Sequence, residues 1–168
     1  MSERKVKIES TVKYPVVIAL REFRFNRTFN KELQSTFMDF EVAEEALQIH
    51  GFRQMLKNGV LRFPNKQDRI DLGLESEEEV IEENIALTTK EIIGYLKGGE
   101  KALKDILKKV SNDLLSRFVN VAITSKISDY KVINALNAAA KDRAMDIDMT
   151  ALFKLASDAE KPVADTEE

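Results

Sequence analysis

The sequence predicts an α+β protein, with a small antiparallel β-rich part followed by a C-terminal helical bundle of about four to five helices. Three observations carry the prediction. Apolar residues alternate with period two through much of Lys5–Phe40. From Glu41 onward helical spacing enters, and after Thr88 it dominates. Between the two regimes lies Asp71–Glu83, with seven acids and no basic residue. Strands first and helices afterwards point to α+β and away from a parallel βαβ sheet. The division expected is residues 1–70 as the β-rich part with one or two short helices, 71–87 as an acidic linker, 88–158 as the bundle and 159–168 as a flexible tail.

Lys5–Thr11 places Val6 and Ile8 on one face, as a half-buried strand requires. Val12–Leu20 contains Pro15, which lacks an amide donor, so a strand starts after it or lies at an edge. Arg21–Phe29 reads as a third strand, with Phe23, Phe25 and Phe29 on one face and Glu22, Arg24 and Asn26 on the other. Thr36–Phe40 is a further short strand. Glu41–His50 spaces Val42, Ala43, Ala46, Leu47 and Ile49 as a helix, with Asp39 as its cap and Gly51 as its stop. Phe52–Asn58 is a second helical segment closed by Gly59, and Val60–Phe63 returns to strand before Pro64.

The acidic stretch reads as a solvated linker or exposed first turn, with an acidic contact loop as the alternative. Beyond it, Thr88-Thr-Lys-Glu91 has the spacing of a capping box. The helix it opens stops at Gly98-Gly99. A second helix sets Leu103, Ile106, Leu107 and Val110 against a lysine-bearing face. Ser111 or Asn112 caps a third, whose wide apolar stripe runs from Leu114 to Ile123. Ser128 or Asp129 caps a fourth, and Asp148 a last one around Leu152, Phe153 and Leu155.

Composition narrows the function classes. The chain has 168 residues, 43% of them apolar, enough for one ordinary core or two small ones. It has no cysteine, which excludes disulfides and thiolate metal sites within it. It has no run of about 18 apolar residues and no apolar signal core, so the expectation is a non-membrane protein of the cytoplasm or of a particle assembled there. Net charge is −3, unevenly spread. Residues 1–70 carry 13 Lys/Arg against 9 Asp/Glu, and residues 71–168 carry 13 against 20. A mildly basic head on an acidic body suits an anionic partner.

Catalytic patterns are missing from the sequence, which leads to the expectation of a non-enzymatic protein without metal or cofactor. The single histidine, His50, precedes Gly51 at an expected helix end, where the helix dipole accounts for it. There is no Gly-x-Ser-x-Gly elbow. Gly98-Gly99-Glu100-Lys101 lacks Walker spacing and reads as a helix stop and restart. Asp146 and Asp148 lack the glycine and terminal glutamate of a calcium loop and read as caps. An enzyme built from scattered carboxylates needs a cleft in which they converge.

Nucleic-acid binding is the alternative function. Arg21, Arg24 and Arg27 interleave with Phe23 and Phe25, the composition of an RNA-binding sheet. An aromatic core face with arginines outward is the competing reading. Lys101, Lys104 and Lys108 form a second basic face on a helix. These six residues are the candidate contacts to an anionic partner. The segments Tyr130–Asp142 and Thr150–Ser157 are joined by a connection longer than a helix-turn-helix turn, which disfavours base readout.

One pattern bears on the function class. Leu96-Lys-Gly-Gly99 leads through Ala102-Leu103-Lys-Asp105, Asn112-Asp113-Leu-Leu115 to Ala122-Ile123, and Asp129 to Asn137. It ends in Met145-Asp146-Ile147-Asp148-Met-Thr-Ala151-Leu152. With Ile18-Ala-Leu-Arg21, Phe25 and Phe29, this order resembles small uncharacterised proteins of tailed bacteriophages, over roughly residues 12–155. Ala144-Met145 stands where those proteins have Thr-Gly. The resemblance implies a virion or assembly component that works through other proteins (capsid, connector or tail components). It implies no catalytic residue. Separately, the wide apolar stripe of Leu114–Ile123 is either buried among three or four helices or left as a surface for self-association.

Overall fold

The computed structural model describes residues 4–77 and 85–161. Its strands come first and its helices dominate afterwards, the α+β order expected. Contacts divide the chain into two units: Met1–Glu91 with Lys109–Leu114, and Ile92–Lys108 with Leu115–Glu168.

In the first unit, β1 (Lys5–Ser10) is the centre of a three-stranded antiparallel sheet, between β4 (Ser35–Asp39) and β5 (Leu61–Arg62). The register pairs Val6 with Met38 and Ile8 with Thr36, and it pairs Lys7 with Phe37 on the opposite face. Val6, Ile8 and Met38 are buried while Lys5 is exposed and Lys7 half-buried, so the period of two holds over Lys5–Ile8, and Glu9 and Ser10 after it are both buried. A separate hairpin joins β2 (Val16–Leu20) and β3 (Phe25–Phe29), with Val16 opposite Phe29 and Leu20 opposite Phe25. β2 starts directly after Pro15, at the first residue able to donate to a ladder.

The hairpin corrects the long third strand. Leu20 and Phe25 are direct partners, so the four residues between them make the reversal. Arg21–Phe23 is a 3-10 turn, and Arg24 closes it in the left-handed region at φ 51°, its N–H donating to the Arg21 carbonyl at 3.2 Å. No glycine or asparagine marks this turn, and the alternating phenylalanines continue the strand period straight across it.

Three short helices accompany these sheets, one more than expected at most: α1 (Phe40–Ala46), α2 (His50–Lys57) and α3 (Lys66–Asp71). The polar sequence of α3 has no apolar stripe; it is started by Asn65, whose side chain accepts from the N–H groups of Gln67 and Asp68. Gly51 is no helix stop. α1 ends by itself, as Gln48 and Ile49 bond three residues back to Glu45 and Ala46, and Gly51 falls in the first turn of α2. Gly59 is a genuine stop at φ +69°, and a Cβ there would lie 3.0 Å from the Ile85 carbonyl oxygen. Two donors from Thr11 fix this corner. Its hydroxyl donates to the Gly59 carbonyl at 2.5 Å, and its N–H donates to the Val60 carbonyl at 3.0 Å.

The remaining helices among the described residues are α4 (Thr89–Lys97), α5 (Glu100–Leu107), α6 (Asn112–Thr124), α7 (Tyr130–Asp142) and α8 (Thr150–Ala159). Their limits follow the caps read from sequence. Thr88 and Glu91 form a reciprocal box, the Thr88 N–H donating to Glu91 Oε2 at 2.7 Å and the Glu91 N–H to Thr88 Oγ1 at 3.3 Å. Gly99, at φ +111°, separates α4 from α5. Ser111 accepts from the Leu114 N–H, Asp129 from that of Lys131 and Asp148 from that of Thr150. In the second unit Phe118, Leu103, Ile133, Leu136 and Leu152 are fully buried, and the rings of Tyr95 and Phe118 pack with centroids 6.4 Å apart. Most of the Leu114–Ile123 stripe, including Leu114, Leu115, Phe118 and Ala122, is buried within the chain. Those buried side chains are therefore not open to a second copy.

Candidate functional site

The described part of the acidic stretch begins in ion pairs. Arg4 reaches Asp68 at 2.8 Å and Asp71 at 2.6 Å while its guanidinium lies over the Phe40 ring. Hydrogen bonds from Gln67 and Arg4 hold the Asp71 carboxyl below its usual range. Glu75 is buried and meets Arg69 at 2.5 Å, and Arg69 also donates to the carbonyls of Phe63 and Pro64. Asp71 and Glu75 thus tie the first unit together and do not belong to a solvated linker. Residues 78–84, with four of the seven acids, lie outside the described residues.

A second polar cluster centres on Arg62 of β5. Glu9 is 5% exposed; its Oε1 accepts from Arg62 Nε at 2.8 Å, and Lys7 lies 3.8 Å from Oε2. Arg62 Nη1 donates to Glu91 Oε2 at 2.8 Å and Oε1 at 3.1 Å, and to the Ala86 carbonyl at 3.3 Å. Burial pushes the Glu91 carboxyl up, but its bonds with Thr88 and the charge of Arg62 outweigh that and hold it below the usual glutamate value. A guanidinium shared by two carboxylates joins β1 and β5 to the start of α4. Both acids are engaged by the one cation, which gives the cluster its cohesion.

His50 is the first residue of α2, at a helix N-terminus and not at a C-terminus, so the dipole argument from sequence does not apply. It shares a shallow depression of about 160 Å³ with Arg53, Gln54 and Lys57. Among the described residues no group of three potential ligands converges on a metal position. Asp148 is a cap, and its bond from Thr150 lowers its carboxyl.

The six candidate basic residues fall into two separate sets. Arg21, Arg24 and Arg27 all lie exposed at the tip and flank of the β2–β3 hairpin. They do not form a strand face: two occupy the turn, and only Arg27 is on β3. Arg27 shares its face with Phe25 and Phe29, and its guanidinium lies 5.2 Å from the Phe25 ring centroid. Lys101 and Lys104 are on α5 and Lys108 caps its end, all exposed. Lys104 pairs with Glu100 at 2.5 Å. Lys104 and Lys108 border a groove of about 420 Å³ with Leu107, Ala135, Ala139 and Arg143; Lys101 stands outside it.

Another feature went unnoticed in the sequence. Phe37 of edge strand β4 is 61% exposed, and Leu33, in the loop leading to it, is 56% exposed with φ 62°. Tyr14 and Val17 are also exposed. A leucine in the left-handed region costs about 1 kcal/mol relative to a relaxed backbone, and here the side chain gains no core contact in return. Phe37 was legible only as part of an alternating pattern, in which the pairing register decides which face is inside.

No protein-family model matches the chain, and no curated protein or solved structure matches it. Among the described residues no helix is long and apolar enough to cross a membrane.

Proposed function

We propose that this chain is a non-enzymatic structural or protein-interaction component, working through the surface around β4, and that it serves as a virion or assembly protein of a tailed bacteriophage, in the host cytoplasm or the particle. One observation carries the interaction reading: Phe37 is largely exposed on an edge strand, preceded by an exposed Leu33 in a left-handed conformation. Folding alone favours a polar residue at the first position and Gly or Asn at the second. An edge strand offers backbone donors and acceptors to a partner, and the two apolar side chains supply the contact area. The phage assignment rests on the resemblance of the Leu96–Leu152 pattern, and its expected partners are capsid, connector or tail proteins.

The test separates partner binding from folding. Leu33→Gly relieves the backbone and is expected to raise stability by about 1 kcal/mol while weakening co-purification with the particle proteins. Phe37→Ser is expected to weaken it further without lowering the unfolding midpoint. Both variants binding partners as tightly as the parent chain, or repeated absence of the protein from purified virions and assembly intermediates, defeats the proposal. Flanking terminase, portal or tail genes are expected beside its gene.

A further inference from the structure

The basic surplus of residues 1–70 is carried by one element. Residues 13–31, the β2–β3 hairpin with its flanks, contain Lys13, Arg21, Arg24, Arg27 and Lys31 against the single acid Glu22. The rest of residues 1–70 holds eight cations and eight acids. All five hairpin cations are exposed, and none forms an ion pair among the described residues. Elsewhere in the same unit, Arg4, Arg62 and Arg69 are each paired with acids. A protein of net charge −3 thus presents an unneutralised cationic ribbon.

We infer that this hairpin binds duplex DNA through its phosphate backbone. The ribbon is held firmly, because Val16, Ile18, Leu20 and Phe29 anchor one side of it in the core. The opposite face shows Val17, Ala19, Asn26 and Thr28, exposed and uncharged, so no acid repels a polyanion laid against it. Arg21 and Arg24 stand at one end of strands about 17 Å long and Lys13 and Lys31 at the other, with Arg27 exposed midway along β3, a spread that suits a partner with regularly repeated charge better than one carboxylate cluster. A two-stranded ribbon also fits the major groove, about 12 Å wide. Duplex is favoured over single strands because the strands offer no free ring for an unpaired base: Phe29 is buried, and Phe25 is half-buried with Arg27 over it; Tyr14, in the loop before β2, is exposed, but a single ring is not the row of rings on which successive bases stack. Three of the five cations are arginines, whose planar forks match phosphate oxygens.

The experiment is fluorescence anisotropy of the full chain with a labelled mixed-sequence duplex of about 20 base pairs, a length that spans the ribbon. Five phosphate contacts predict a log–log salt slope near −4.5, an affinity loss of about 500-fold between about 50 and 200 mM salt. Replacing Arg21, Arg24 and Arg27 together by Gln is expected to flatten the slope by about 3 and weaken binding at 50 mM by roughly 100-fold or more. The corresponding Lys triple variant keeps the slope. Lys13→Gln with Lys31→Gln, both in loops, gives a second reading should the arginine variant lose its circular-dichroism signature; it flattens the slope by about 2. Changing Lys101, Lys104 and Lys108 to Gln leaves the slope as it was. The inference is overturned by no binding at 50 mM salt, or by unchanged binding in the glutamine variants. Competition by polyglutamate as effective as that by unlabelled duplex, which marks an acidic-protein partner, also overturns it, as does tighter binding of single strands.

Discussion

The two units use charge in opposite ways. In the first, ion pairs reach across the chain: Arg4 to Asp68 and Asp71, and Arg62 to Glu9 and Glu91, all join segments far apart in sequence. Glu9 is nearly buried while doing so, and Glu75 is nearly buried in its pair with Arg69, six residues away. Among the described residues of the second unit the ion pairs are local and exposed, Glu100 with Lys104 four residues on and Asp158 with Lys161 three residues on. There the apolar stripes close the core, and the carboxylates mainly start helices. A small antiparallel sheet with short strands has little ladder to hold it, so side-chain charge supplies connections that regular helix packing supplies elsewhere.

The comparison breaks most visibly at Arg62. Arg62→Met leaves Glu9 buried beside the more distant Lys7, and is expected to lower unfolding free energy by about 3 kcal/mol, measured by urea denaturation at neutral pH. Replacing Glu9 and Arg62 together by Met is expected to cost much less, because no buried charge is then orphaned. The same variant reports on Glu91. Its folded carboxyl is held low, so the stability it contributes is present above the usual glutamate value of 4.5 and is lost as pH falls through the lower folded value. Without Arg62 part of that depression goes, and stability falls less steeply over the acid range. Equal costs for the single and double variants would remove the contrast between the units.

An intermediate effect is expected at Asp129. Its carboxylate accepts from the Lys131 N–H at 2.8 Å and starts α7, whose Val132, Ile133 and Leu136 are buried. Asp129→Ala is expected to cost about 1 kcal/mol, and Asp129→Asn to restore most of it, since an amide oxygen caps as well as a carboxylate. Retention of function by Asn shows that the second unit needs the acceptor more than the charge.

This difference explains what the sequence made legible. Caps and helical stripes are short-range, so Thr88 with Glu91, Ser111, Asp129 and Asp148 were readable at their own positions. The partners of Arg62 stand 53 and 29 residues away, and nothing local in the sequence marks them. The same holds for Asp71 and Glu75, which read as solvated because their run of acids is locally unopposed, while Arg4 and Arg69 arrive by folding. The turn at Arg21–Arg24 was hidden by phenylalanines that keep the strand period across it. Of the basic candidates, the sequence placed three arginines close together but missed that Lys13 and Lys31 complete the same ribbon, a fact visible only once Val16 is seen opposite Phe29. Exposed Phe37 depended on the register with Lys7.

The smallest effect is expected for the local pair in α5. Lys104 holds Glu100 at 2.5 Å, and that hydrogen bond and charge keep the Glu100 carboxyl below its usual range. Both side chains stand in solvent, where holding two long side chains together offsets most of the attraction and salt screens the rest. Glu100→Gln is therefore expected to leave the urea midpoint unchanged at physiological salt, with a small decrease appearing only at low ionic strength. The depressed carboxyl fixes the sign: what little it contributes is present at neutral pH and vanishes on acidification. A loss at physiological salt comparable to that of Arg62→Met would mean that charge organises the helical unit as it organises the sheet.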